Sequence, residues 1–275
     1  MRNATNDTMT NRSGRPLDGL LFASDFDGTL LMHDRPKGRF VRGDREAIRA
    51  YQLQGGLFGI CTGRPERGLM VQVPSDLRPD FIISASGATV LDGQLNVLEN
   101  HTVPRDAMLE LVRRWGGRAA HAPFVGAGGE YYSTARLPFP GLRHVSRYED
   151  VPGEIQVVAL GIGTVEGAKR VCEEILRDMG DVVTPNQNEG SVDVIAAGCT
   201  KGTGLLAAKR LFGARATAAV GDSYNDLPMI EAADLGFTFN RSVARVRERA
   251  DVLVDTVAEA LAAQAKRQGA GSRVS

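Results

Sequence analysis

The chain has 275 residues, enough for one large α/β domain or a core domain carrying a smaller second one. Its 33 basic and 33 acidic side chains cancel, so no global field is present to hold nucleic acid or an anionic membrane, and any affinity for phosphate must be local. Cys61, Cys172 and Cys199 form neither a CxxC pair nor an even disulfide framework, which points to a reducing cytoplasm, and no apolar stretch approaches the roughly 18 residues of a membrane span.

Residues 1–18 are rich in Asn, Thr, Arg and Ser and lack the apolar centre of a signal peptide; they read as a disordered leader, with Met9 as an alternative start. From Gly19, the apolar run Leu20 to Ala23 reads as a buried strand opening into the loop Ser24-Asp25-Phe26-Asp27-Gly28. An amphipathic helix follows from about Asp44 to Gln54, then a buried strand from Leu57 to Cys61 that stops at Thr62-Gly63-Arg64-Pro65. Arg64-Pro65 marks the turn into another helix. A third strand, Phe81 to Ser84, leads to Gly87, and Ala88 to Glu99 reads as a hairpin turning at Asp92-Gly93. This β-α-β-α-β order predicts a parallel, doubly wound, Rossmann-like sheet.

The middle of the chain has a different pattern. A helix from Arg105 to Trp115, a Gly-rich stretch at 126–129, strands at Tyr131 to Thr134 and Ile155 to Gly161, a helix from Glu166 to Met179 and strands near Asp181 to Thr184 and Ser191 to Ala196 make up this stretch, which reads as an inserted α+β domain over roughly 101–189. The core domain then comprises 19–100 and 190–275. Beyond Lys201 the alternation resumes with the helix from Gly202 to Phe212, the strand Ala216 to Val220, the loop Gly221 to Asp226 and the helix Leu227 to Ala233. Two shorter β-α units, near 235–249 and 252–264, close the fold.

Phosphoryl transfer needs a nucleophile, relief of its repulsion from an anionic phosphate, and a proton for the departing oxygen. Asp25 and Asp27 stand two apart at the end of the first strand, so one can attack while the other handles the proton. Two carboxylates beside a phosphate repel by several kcal/mol at an effective dielectric of about 20, which calls for a cation among them. Oxygen ligands at a wet strand end suit Mg²⁺. Asp222 and Asp226, in a loop after a later strand, read as further ligands of that ion. Thr62 and Gly63, placed at a helix start, offer a hydroxyl and an open backbone N–H to phosphate. Lys201, opening another helix, supplies compact positive charge.

These segments resemble the haloacid dehalogenase superfamily of phosphatases. The likeness lies in Asp25-Phe26-Asp27-Gly28-Thr29-Leu30, Thr62-Gly63-Arg64, Lys201-Gly202 and Gly221-Asp222-Ser223-Tyr224-Asn225-Asp226, in that order. Ile83-Ser84-Ala85-Ser86-Gly87-Ala88 is similar to the segment preceding the large cap of the Cof-like branch (subclass IIB), with Ser86 where Asn is usual. The resemblance implies Asp25 as nucleophile and Asp27 as general acid, then base. It implies phosphate ligands Thr62, Gly63, Lys201 and Asn225, and Mg²⁺ held by Asp25, the backbone carbonyl of Asp27, Asp222 and Asp226. Arg64 is a candidate for substrate contact. The cap would close over a small phosphorylated metabolite, commonly a sugar phosphate in this branch.

Each motif alone has a plainer reading: turn residues after a strand, a helix cap, a solvated lysine. Their ordered coincidence at strand and helix ends favours catalysis. Two further readings are a non-catalytic sugar-phosphate sensor, which has no need of both Asp25 and Asp27, and a phosphomutase or phosphotransferase. Cys61 and Arg67 have the C-x5-R spacing of cysteine phosphatases, yet Cys61 reads as the buried end of a strand and Glu66 would repel phosphate. His33, His101, His121 and His144 lack metal-ligand spacing, which argues against zinc and leaves surface or cap positions, with His33 near the site entrance. Asn186, Gln187, Asn188 and Glu189 read as a solvated loop rather than a sugar-binding cluster, and Trp115, Tyr131 and Tyr132 as core.

Overall fold

The computed structural model describes residues 14–34, 38–138 and 141–271, with side chains to residue 267. The fully buried strand β1 (Leu20–Ser24) is followed by a small antiparallel flap, β2 (Leu31–Met32) and β3 (Arg39–Phe40). Next come α1 (Asp44–Leu53), β4 (Leu57–Cys61), α2 (Glu66–Met70), β5 (Phe81–Ser84), β6 (Thr89–Asp92) and β7 (Val97–Asn100). Then follow α3 (Arg105–Trp115), β8 (Phe124–Ala127), β9 (Glu130–Ser133), β10 (Leu142–His144), β11 (Ile155–Gly161), α4 (Val165–Met179), β12 (Val183–Asn188) and β13 (Ser191–Ala196). The chain ends with α5 (Lys201–Leu211), β14 (Ala216–Val220), α6 (Leu227–Ala232), β15 (Leu235–Phe239), α7 (Ala244–Arg247), β16 (Val252–Val254) and α8 (Val257–Gly271).

The larger sheet has the order β16-β15-β14-β1-β4-β5-β6-β7, parallel from β16 to β5, with β6 and β7 as an antiparallel edge. Its apolar positions alternate between two faces, as the period of a strand demands. Leu20 and Phe22 pack with Ile48 and Tyr51 of α1 and Val257 and Leu261 of α8. Leu21 and Ala23 face the other way, onto Leu205 and Ala208 of α5 and Met229 of α6. Helices on both faces and an α/β sheet match the expected fold. The strand order reverses at β1, with β4 on one side and β14 on the other, and such a switch point is where open α/β sheets form their sites.

The second sheet, β10-β9-β8-β11-β13-β12, carries α3 and α4 on one face, where Met108, Trp115, Val171 and Ile175 bury against Val125, Val158, Leu160 and Val194. The bounds differ from the sequence reading. Strand β13 pairs with β11 and β12, so the inserted sheet runs to Ala196 rather than stopping at 189. Asn186, Gln187 and Asn188, expected in a loop, are in β12, paired with Asp193, Val192 and Ser191; only Glu189 lies in the turn, at φ 47°. Residues 14–18 are not a disordered leader: Leu17 is buried in the core and its N–H donates to the Gln54 carbonyl at 2.9 Å. Residues 1–13 lie outside the described residues. No described helix is long and apolar enough to cross a membrane.

Candidate active site

Asp25 follows β1 directly, anchored by its N–H to the Val220 carbonyl of β14 at 2.9 Å. Lys201 is the first residue of α5, a start fixed by the reciprocal capping of Thr200 and Thr203. From there its fully buried ammonium reaches Asp25 Oδ1 and Asp226 Oδ1, each at 2.6 Å. Asp226 Oδ2 accepts the N–H groups of Asp222 and Ser223, both at 3.0 Å, which folds the loop after β14 back on itself. Thr29 Oγ1 donates to Asp222 Oδ1 at 2.7 Å. Gly28 (φ 81°) lets the first loop approach this closely, since a Cβ there would lie 2.6 Å from Asp222 Oδ2.

Asp25, Asp222 and Asp226 thus present carboxylate oxygens within 4.8 Å of one another, against one buried lysine. The excess negative charge is visible in the acidities. Burial, and then the Asp226 carboxylate, push Asp25 well above the ordinary carboxylate range. The same causes, in the same order, push Asp222 up to about 6. Burial alone would lower Lys201, but Asp226 and Asp25 hold its ammonium well above the usual lysine value. A crowded all-oxygen donor set with unneutralised charge fits a hard divalent ion such as Mg²⁺.

Asp27 lies across the same cavity in a different environment. Arg64 donates to both its oxygens, Nε to Oδ2 at 2.6 Å and Nη2 to Oδ1 at 2.7 Å, and His33 Nε2 is 2.7 Å from Oδ1. Burial works to raise its pKa, yet these partners hold it below the ordinary value. Arg64, expected as a substrate contact, is engaged by Asp27. Thr62 is buried, its N–H donating to the Ile83 carbonyl at 2.8 Å. Its Oγ1 accepts the Arg64 N–H at 3.2 Å. Thr62 and Gly63 are in a loop and not at a helix start as expected: α2 begins only at Glu66 and is five residues long.

A cavity of about 370 Å³ joins these groups to the second sheet, bringing Asp25, Asp27, Thr62, Gly63, Arg64 and Asn225 together with His121, Phe124, Tyr131, Asn188, Ser191 and Asp193. Lys201, Asp222 and Asp226 are not among its lining residues and reach it through Asp25. Of the residues from the inserted sheet, Asn188, Tyr131 and His121 read in the sequence as loop, core and surface or cap positions, and Phe124, Ser191 and Asp193 were not singled out. Asp193 had a signal, a charge inside the apolar strand Ser191–Ala196. Burial pushes it up to about 6, and it accepts the Ser86 hydroxyl hydrogen at 3.1 Å on Oδ2. Ser86 holds a left-handed φ of 54°.

The cysteine alternative fails on geometry. Cys61 is wholly buried at the end of β4, where burial pushes its thiol far up, and Arg67 points outward to Glu130 at 3.9 Å.

Residues 22–264 match the haloacid dehalogenase-like hydrolases, and the chain belongs to that family. It is an enzyme of the phosphatase kind. Over 242 residues it is 28% identical to the 5-amino-6-(5-phospho-D-ribitylamino)uracil phosphatase YcsE of Bacillus subtilis, covering 87% of this chain and 91% of the relative. In fold it is similar to a haloacid dehalogenase-like hydrolase from B. subtilis (TM-score 0.77, 20% identity, 90% of this chain and 98% of the other). It is also similar to the HAD subclass IIB sugar phosphatase BT4131 (TM-score 0.73, 21% identity, 91% and 98%).

Proposed function

We propose that the chain is a Mg²⁺-dependent phosphomonoester hydrolase acting on a small phosphorylated metabolite, a sugar or polyol phosphate, through an aspartyl-phosphate formed on Asp25. The observation that carries this reading is the buried Lys201 bridging Asp25 and Asp226 at the switch point of the sheet, beside Asp222. Asp25 attacks phosphorus while Thr62, Gly63, Lys201 and Asn225 hold the phosphoryl oxygens. Asp25, Asp222 and the backbone carbonyl of Asp27 would hold Mg²⁺, with Asp226 behind them, since both its oxygens already serve Lys201 and the loop. The ion would neutralise the charge that develops on the phosphoryl group.

Asp27 gives its proton to the leaving oxygen and then takes one from the attacking water. Arg64 and His33 hold it as a carboxylate in the free protein, so the substrate must draw it away from that clamp before the first step. The carboxylate form suits the second step as it stands. The inserted sheet covers the phosphate site and sets what the ester carries; the relative named for a ribitylaminouracil phosphate supports a polyol phosphate as one such ester.

Phosphate release from an aryl phosphate and a sugar- and polyol-phosphate panel tests the reading, with Mg²⁺ and with EDTA, in wild type and Asp25→Asn. Activity that needs Mg²⁺, is lost in Asp25→Asn and survives thiol alkylation is expected. Activity indifferent to EDTA, or retained by Asp25→Asn, would sink it.

A further inference from the structure

We infer that Asp193 is a specificity-determining residue of the site: it takes a hydrogen-bond donor, a hydroxyl or an ammonium, on the carbon next to the phosphorylated one, and turns away a carboxylate there. The inference rests on the phosphatase reading for the phosphate end and deepens it by naming the residue that reads the atoms beyond the ester oxygen.

Along β13 the side chains alternate. Val192 and Val194 turn under α3 and α4, while Ser191, Asp193 and Ile195 face the core domain. Asp193 is 7% exposed and lines the cavity. Its Oδ2 accepts the Ser86 hydroxyl hydrogen at 3.1 Å, and Ser86 in turn donates its N–H to the Thr62 carbonyl at 2.9 Å. A Cβ at Gly63 would stand 2.7 Å from the same Oδ2, so the carboxylate rests on the bare backbone of the loop that carries Thr62. The turn that places the Ser86 hydroxyl keeps Ala85 and Ser86 at φ 48° and 54°, the left-handed region that side chains disfavour. With Thr62 and Gly63 on the phosphoryl oxygens, Asp193 stands beside the atoms that follow the ester oxygen.

A latch between the inserted sheet and the core would need no charge, because an asparagine carbonyl accepts a serine hydroxyl equally well. The buried carboxylate is costly by comparison. Among the described residues no arginine or lysine pairs with it: Lys201 is held by Asp25 and Asp226 and acts on Asp193 only through its field, and Asp27 opposes it. Its Oδ1 has no hydrogen bond among the described residues, and Ala159, its neighbour on β11, is too small to cover it. Such an oxygen cannot serve the phosphate, since both are anions. It is an acceptor for a donor on the rest of the ester and it repels a second anion.

Four two-carbon phosphate esters, alike but for the terminal group, test this: O-phosphoethanolamine, 2-hydroxyethyl phosphate, ethyl phosphate and 2-phosphoglycolate. At pH 8, above the value near 6 to which burial raises Asp193, that residue is a carboxylate. With the Mg²⁺-loaded enzyme, kcat/KM for the ammonium and hydroxyl esters should exceed that for ethyl phosphate by about tenfold, the scale of one hydrogen bond to a charged group. The carboxylate ester should fall about tenfold below ethyl phosphate. Asp193→Asn keeps an acceptor for Ser86 and should bring the ammonium and carboxylate esters towards equality. Calorimetric binding of the four esters to Asp25→Asn, with and without Asp193→Asn, gives the ranking without turnover. The ranking in binding with no ester hydrolysed would uphold Asp193 and defeat only the phosphatase reading. No preference for ammonium over carboxylate in either measurement, or a preference that Asp193→Asn leaves intact, would overturn the assignment.

Discussion

Lys201→Met is the sharpest test of how the site is held together. Methionine keeps the length and bulk of the side chain, so the change isolates the charge. In the native protein one buried ammonium satisfies two carboxylates, each at 2.6 Å, with Lys201 and Asp226 both about 1% exposed. Removing one partner from a buried ion pair costs about 3–5 kcal/mol, because the remaining charge is left uncompensated. The pH dependence gives the sign. Asp25 already has its folded-state pKa raised by burial and by Asp226, and without Lys201 it must rise further. A carboxyl raised in the folded state contributes stability that is full below its unfolded pKa and is lost as pH rises through the folded one. The deficit of Lys201→Met should therefore be several kcal/mol at pH 8 and smaller at pH 5. Urea unfolding in EDTA at the two pH values measures it. A deficit below about 1 kcal/mol at pH 8, or one equal at both, would refute the view that Lys201 compensates buried charge.

Asp44, at the start of α1, accepts the Ala258 N–H on Oδ1, leaves Oδ2 buried without a partner among the described residues, and is pushed up to about 6, chiefly by burial. Its stability contribution is present below about pH 4 and lost through about pH 6, so Asp44→Asn should stabilise by about 2 kcal/mol at pH 8 and by nothing at pH 4. Equal effects at both would contradict the assignment. Asp222, also near 6, must lose its proton to serve as a ligand, so Mg²⁺ affinity measured by calorimetry should weaken by up to about tenfold per unit as pH falls below 6. A flat affinity from pH 5 to 7.5 would remove Asp222 from the ligand set. Iodoacetamide should leave native activity intact and label Cys61 only in urea, as mass spectrometry can read, because that thiol is wholly buried.

What the sequence disclosed follows from which interactions are local. Strands β1, β4, β5 and β14 were readable because each is buried on both faces, so each appears as an apolar run whose end is marked by the loop that carries chemistry. Strand β12 was only partly readable, since Pro185, Asn186, Gln187 and Asn188 have little intrinsic strand preference and owe their conformation to pairing with β13. The boundary at 189 erred for the same reason. The strand Ser191 to Ala196 reads with the middle of the chain, but it stands only four residues before α5, and its pairing with β11 and β12 is what carries the inserted sheet past 189. The site divides in the same way. The types and order of Asp25, Thr62, Lys201 and Asp222 are sequence properties. The clamp of Arg64 on Asp27, 37 residues away, is not, since it forms only when the loops after β1 and β4 are brought side by side. His121 had still less to announce it, lying in a loop with no periodicity. Its place beside Phe124 depends on the absence of a side chain at Gly161, forty residues further on, and a gap of that kind leaves no trace until the sheet is assembled.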